Sequence, residues 1–111
     1  MPGVVNKDQE FETMDREDAL NIVRRYKDEI RPMFGEAKVF LFGSYAKGNA
    51  RPESDIDVAV IVREYGGDWL KRSSALWRAT LNIDTAIEPV LIREGDRSPL
   101  YEDIMRTGIA V

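Results

Sequence analysis

The run Ile56-Asp57-Val58-Ala59-Val60-Ile61-Val62 does most to limit what this chain can fold into. Successive strand residues face opposite ways, so Val58, Val60 and Val62 share one side and Asp57, Ala59 and Ile61 the other. Both sides are apolar beyond the first residues. Such a strand belongs in the middle of a sheet that helices cover.

A second strand is expected over residues 37–42, ending in Leu41-Phe42 and breaking at Gly43-Ser44. Gly43 can adopt backbone angles closed to other residues and lets a phosphate come close to the main chain. Ser44 adds a hydroxyl donor, and from Tyr45 onward a short helix can begin, whose free N–H groups favour anions. After a polar loop with Gly48, Asn49 and Pro52, Ser54-Asp55-Ile56-Asp57 leads into the central strand. The period of two puts Asp55 and Asp57 on one face, roughly 6–7 Å apart along the strand. Like charges so placed repel unless a cation sits between them. Taken alone, Asp-x-Asp at a strand start is a solvated loop edge. Behind Gly43-Ser44 it becomes half of the equipment for a metal–nucleoside triphosphate complex.

At 111 residues the chain has room for one domain and no separate substrate domain. No apolar run approaches the roughly 18 residues needed to cross a bilayer, and residues 1–12 are too polar and acidic for a secretory leader. A cytoplasmic protein without membrane contact is expected. Cysteine and histidine are both absent, which removes disulfides, thiolate chemistry and the commonest general base. Carboxylates and oxygen-bound hard metals remain. The formal net charge of −4 argues against nucleic acid as the main partner. Arg24, Arg25 and Lys27 read as a solvated helix face.

Residues 1–14 lack apolar periodicity and are expected to form a loose tail before a domain over residues 15–111. Asp15 suits an N-cap. Leu20, Val23, Tyr26 or Lys27, Ile30 and Phe34 recur at helical spacing; Pro32 should kink or end that helix, and Gly35 close it. Trp69, Leu70, Ser73, Leu76, Trp77, Thr80 and Leu81 describe a further helix capped by Asp68, with both tryptophans expected against the sheet. Residues 87–92 form a third strand. Ser98-Pro99 opens a last helix with Leu100, Ile104 and Met105 facing inward, and residues 109–111 form a short strand. The order is that of a small α/β (α+β) domain with a mixed sheet flanked by helices.

Gly43-Ser44, Lys47-Gly48 and Ser54-Asp55-Ile56-Asp57 resemble the signature of the nucleotidyltransferases related to DNA polymerase β, above all their smallest members, the minimal nucleotidyltransferases. The likeness runs from about Glu17 onward, with its specific part within residues 42–60. The family more often has Arg at the position of Lys47. The resemblance implies that Asp55 and Asp57 bind Mg²⁺ or Mn²⁺ bridging ATP, while Gly43, Ser44 and Lys47 meet the phosphates. It also implies a third carboxylate on a neighbouring strand, for acceptor deprotonation or metal binding. Glu88 fits that place best and Asp84 is its rival. Arg51 is a further phosphate candidate. The activity implied is transfer of AMP from ATP to a hydroxyl of a partner. Minimal nucleotidyltransferases are often encoded beside a helical HEPN-type protein, and in several such pairs the nucleotidyltransferase is the antitoxin, so the resemblance implies a HEPN-type partner and an antitoxin role. Two other classes compete: a module that neutralises its partner by contact, and a drug-modifying transferase, for which extra substrate domains would be needed.

Overall fold

The computed structural model describes residues 14–111, so the expected tail lies outside the described residues except for Met14. Helix α1 spans Arg16–Phe34, strand β1 Lys38–Phe42, helix α2 Gly43–Lys47, strand β2 Ile56–Val62, helix α3 Trp69–Thr80, strand β3 Ile87–Arg93, helix α4 Pro99–Thr107 and strand β4 Ile109–Ala110. The sheet order is β3-β2-β1-β4. β1 runs antiparallel to β2 and β4, whereas β2 and β3 are parallel. The doubly apolar β2 is therefore internal, as its sequence requires. The parallel β2–β3 pair needs a crossover, and α3 supplies it.

One face of the sheet carries Val39, Leu41, Ile56, Val58, Val60, Val62, Ile87 and Leu91, packed with α1 and α3 in the main core. Tyr26 is fully buried there and donates its hydroxyl to the Leu76 carbonyl at 2.7 Å, tying α1 to α3. The other face carries Ala59, Ile61 and Ile92 under Ile104 of α4, with Phe40, Phe42, Val90 and Tyr101 at the margin.

The caps are those expected: Asp15 accepts from Asp18 N, Asp68 from Leu70 N and Lys71 N, and Ser98 from Tyr101 N. Three expectations need correction. Pro32 does not end α1, which runs to Phe34 before Gly35 closes it, as expected, at φ 55°. The packed stripe of α3 is narrower than its apolar residues suggest. Leu76, Ala79 and Thr80 are buried, but Leu70 and Leu81 are exposed, as is nearly half of Trp77, about 100° off the packed line. Trp69 does lean on β3, donating to the Leu91 carbonyl at 3.4 Å. On α4 only Ile104 is buried, because a nine-residue helix laid on a sheet offers one line of contact; Leu100 and Met105 are exposed. Among the described residues no helix is long and apolar enough to cross a membrane.

Candidate functional site

The strand register assembles the carboxylates. Phe42 of β1, Asp57 of β2 and Glu88 of β3 form one rung across the sheet. All three share the face bearing Ala59 and Val90, since alternation along each strand separates them from the main core. Asp55 lies one residue before β2 rather than inside it. Its carboxylate still acts on Glu88, first through side-chain hydrogen bonding. That bond, then burial, then the charges of Asp55 and Asp57 push the Glu88 carboxyl above its ordinary value. Burial, reinforced by Asp55, raises Asp57 likewise. Pro89 needs a position that can spare a ladder donor, and β3 is an edge strand.

The Gly43 turn borders the same rung. Helix α2 starts at Gly43 itself, two residues earlier than expected. Gly43 has φ 73°, a left-handed conformation, and a Cβ there would fall on the Asp57 carboxylate. A side chain at position 43 and the carboxylate of Asp57 cannot occupy this space together. Ser44 is half-buried; its carbonyl accepts from Gly48 N and, at 3.0 Å, from Asn49 N, folding the loop back over α2.

Asp84 is elsewhere. It occupies the turn after α3, where its carboxylate accepts from Ala86 N at 2.8 Å and its backbone N–H bonds the Thr80 carbonyl. Its charge is felt by the phenol of Tyr45, which burial and then Asp84 push up. Lys47 is already engaged: its Nζ lies 3.2 Å from Asp103 Oδ2 of α4, and Asp103 also holds Arg106 at 2.9 Å. Arg51 is exposed, its backbone N–H donating to Ser54 Oγ at 2.8 Å.

Two supports of the site have no signal in the sequence. Asp103 anchors Lys47 from 56 positions away, a spacing that only the docking of α4 defines. Arg16 donates Nε–H to the Tyr45 carbonyl at 3.2 Å, and its Nη2 would lie 3.1 Å from a Cβ at Gly48. It braces α2 from the first turn of α1.

The chain belongs to the nucleotidyltransferase domain family, whose model matches residues 23–99. It is an enzyme of that class, similar in sequence to protein adenylyltransferases. A candidate protein adenylyltransferase of Methanocaldococcus jannaschii is 28% identical over 98 residues, covering 83% of this chain and 97% of the relative. The protein adenylyltransferase MntA of Thermococcus cleftensis is 38% identical over 48 residues, 43% of this chain and 48% of that protein. Among solved structures, a candidate nucleotidyltransferase from Sulfolobus solfataricus superposes with a TM-score of 0.64 at 20% identity, over 86% of this chain and 80% of that one. A mutant of the MntA–HpeT toxin–antitoxin pair gives a TM-score of 0.59 at 21% identity, over 79% of this chain and 69% of that one. These likenesses bear out the expected nucleotidyltransferase fold.

Proposed function

We propose that this chain transfers AMP from ATP to a hydroxyl group of a partner protein in the cytoplasm, with Mg²⁺ or Mn²⁺. In this reading it serves as the antitoxin of a toxin–antitoxin pair, whose helical HEPN-type toxin presents the hydroxyl. The observation that carries the reading is the Phe42–Asp57–Glu88 rung beside a turn where only glycine leaves space for the Asp57 carboxylate. The protein adenylyltransferases among the relatives support the choice of AMP and of a protein acceptor.

The donor set suits a hard divalent cation. Asp55, Asp57 and Glu88 crowd one end of the sheet, two of them held above their ordinary range, and the chain has no histidine or cysteine. Among the described residues no three such side chains stand ready as a complete metal cage. Asp55 and Asp57 would therefore hold the ion together with triphosphate oxygens and water, the usual manner for Mg²⁺. When bound, the ion offsets charge developing on the α-phosphate and the leaving pyrophosphate. Ser44 and the backbone N–H groups of its turn hold the β/γ end of the triphosphate. Glu88, next to Asp57 on the rung, accepts the proton of the attacking hydroxyl. Lys47 reaches phosphate only by leaving Asp103.

The test is incubation of this protein and its co-purified partner with labelled ATP and Mg²⁺, followed by intact mass of both. A gain of one AMP on the partner is expected. A partner neutralised with no change of mass would replace transfer by neutralisation through contact.

Two further outcomes follow from the geometry. ATP should bind far more weakly in chelator than in Mg²⁺, since three carboxylates repel the triphosphate; equal calorimetric affinities would remove the cation from the scheme. Glu88→Gln should slow transfer at saturating ATP by at least ~100-fold, the usual scale for a general base. Asp84→Asn, which changes a turn and a charge felt by the Tyr45 phenol but leaves the rung intact, should stay near the starting activity. The reverse ranking would transfer the role of base to Asp84.

A further inference from the structure

We propose that a cleft between the C-terminal end of α1 and helix α3 docks an acidic segment of a partner protein. The cleft has a volume of about 530 Å³ and is lined by Met33, Phe34, Gly66, Lys71, Arg72 and Arg78 among others. Three of these are cations, in a chain whose net charge is −4. Among the described residues, Lys71, Arg72 and Arg78 take part in none of the ion pairs. One carboxylate borders the cleft, that of Asp68, and it is occupied in capping α3 through Leu70 N at 3.0 Å and Lys71 N at 3.2 Å.

Arg72 is the centre of the argument. Its guanidinium lies over the Phe34 ring, 4.6 Å from the centroid. Its Nε is buried, and among the described residues it is the one buried side-chain polar atom without a hydrogen-bond partner. Leaving such a donor unpaired is costly, so the fold holds a cation in place without using its full donor set. A guanidinium already held over an aromatic ring has less freedom left to lose when it takes a carboxylate. Lys71 and Arg78, seven residues apart on α3, lie on one helix face with Ala75 between them. Met33, 45% exposed, adds an apolar wall.

This lining matches acidic side chains alternating with an apolar one. A nucleic-acid backbone would call for a basic stripe and a basic protein. The cleft adjoins the loop after β2, whereas Asp57 stands near the start of that strand, about 17 Å away at the usual rise. A partner anchored here leaves the carboxylate rung open, and tethering raises the local concentration of whatever hydroxyl it carries.

The probe is a fluorescein-labelled peptide, Asp-Glu-Leu-Phe-Glu-Asp, titrated with the full chain at low salt and followed by anisotropy. A control peptide has glutamine at every acidic position. The acidic peptide should bind and the control should not. Arg72→Met should weaken binding by about tenfold or more, as expected for loss of one charged hydrogen-bond partner. The double variant Lys71→Glu, Arg78→Glu changes only exposed side chains and should remove binding with the thermal melt unchanged. Asp57→Asn should leave the affinity as it was. Equal binding of both peptides, or full affinity in the charge-reversal variant, would overturn the proposal. So would competition by inorganic phosphate at the peptide's own concentration, which would make this a small-anion site. Binding seen only after removal of residues 1–13 would mean that the chain's own acidic residues 8–12 fill the cleft instead of a partner.

Discussion

Asp57→Asn should lower transfer by about 1,000-fold or more, the upper range for removing one preorganised electrostatic contact, while leaving the apo protein at least as stable as before. The carboxylate is half-buried beside Asp55, and burial followed by that charge raises it above its ordinary value of 3.8. Between that value and the raised one, the folded state binds the proton more readily than the unfolded state does. The stability this contributes is present at low pH and lost as pH rises through the window. At neutral pH the ionised side chain is therefore a cost to the fold, which the isosteric amide removes. Melts without metal should stay level or rise, and the added stability that Mg²⁺–ATP gives the original protein should vanish with binding. A variant that fails to fold would make Asp57 structural and end its assignment to the chemistry.

Gly43→Ala should have the opposite thermal signature with a similar loss of activity. The residue sits at φ 73°, where a side chain costs roughly 1–2 kcal/mol. The new methyl would also fall on the Asp57 carboxylate, with Cγ 3.0 Å and Cβ 3.2 Å away. Backbone strain alone should lower the melting temperature by about 4–8 °C per kcal/mol in a domain of this size, and displacement of Asp57 should stop transfer. The two causes separate in a double-mutant cycle. In an Asp57→Ala background the carboxylate is gone and only the 3.2 Å approach to Cβ and the backbone strain remain, so Gly43→Ala should destabilise less than it does alone. Additive losses would mean that the two residues do not share this space, and an active Gly43→Ala would sink the role given to the turn.

The parts of the site legible in the sequence are those that strand alternation or local turn chemistry determines. Asp57 beside an apolar run, Glu88 at the matching point of the next strand, Pro89 asking for an edge and Gly43 asking for a turn are statements about neighbours within a few residues. The register Asp57↔Glu88 agrees with them. Lys47–Asp103 and Arg16–Tyr45 were not legible, because each depends on how a helix docks across the sheet. The exposure of Trp77 and Leu81 escaped for a different reason: apolar residues mark both the packed line of a helix and surfaces one step to its side. Hydrophobicity alone does not distinguish them.

Helix α4 closes the face next to the carboxylate rung with one fully buried side chain, Ile104, worth about 1.5–3 kcal/mol of burial. Half-buried Tyr101 and the Lys47–Asp103 pair add to its hold. Local opening at that free energy lies well below unfolding of a whole domain. Amide protons of residues 99–107 should accordingly exchange with solvent before those of β1, β2 and β3. Each opening bares Ala59, Ile61 and Ile92 beside the rung, and a phosphate that draws Lys47 from Asp103 removes one of the restraints. The same cation thus links nucleotide occupancy to how long this face stays covered, so exchange rates in α4 should report whether the triphosphate is present.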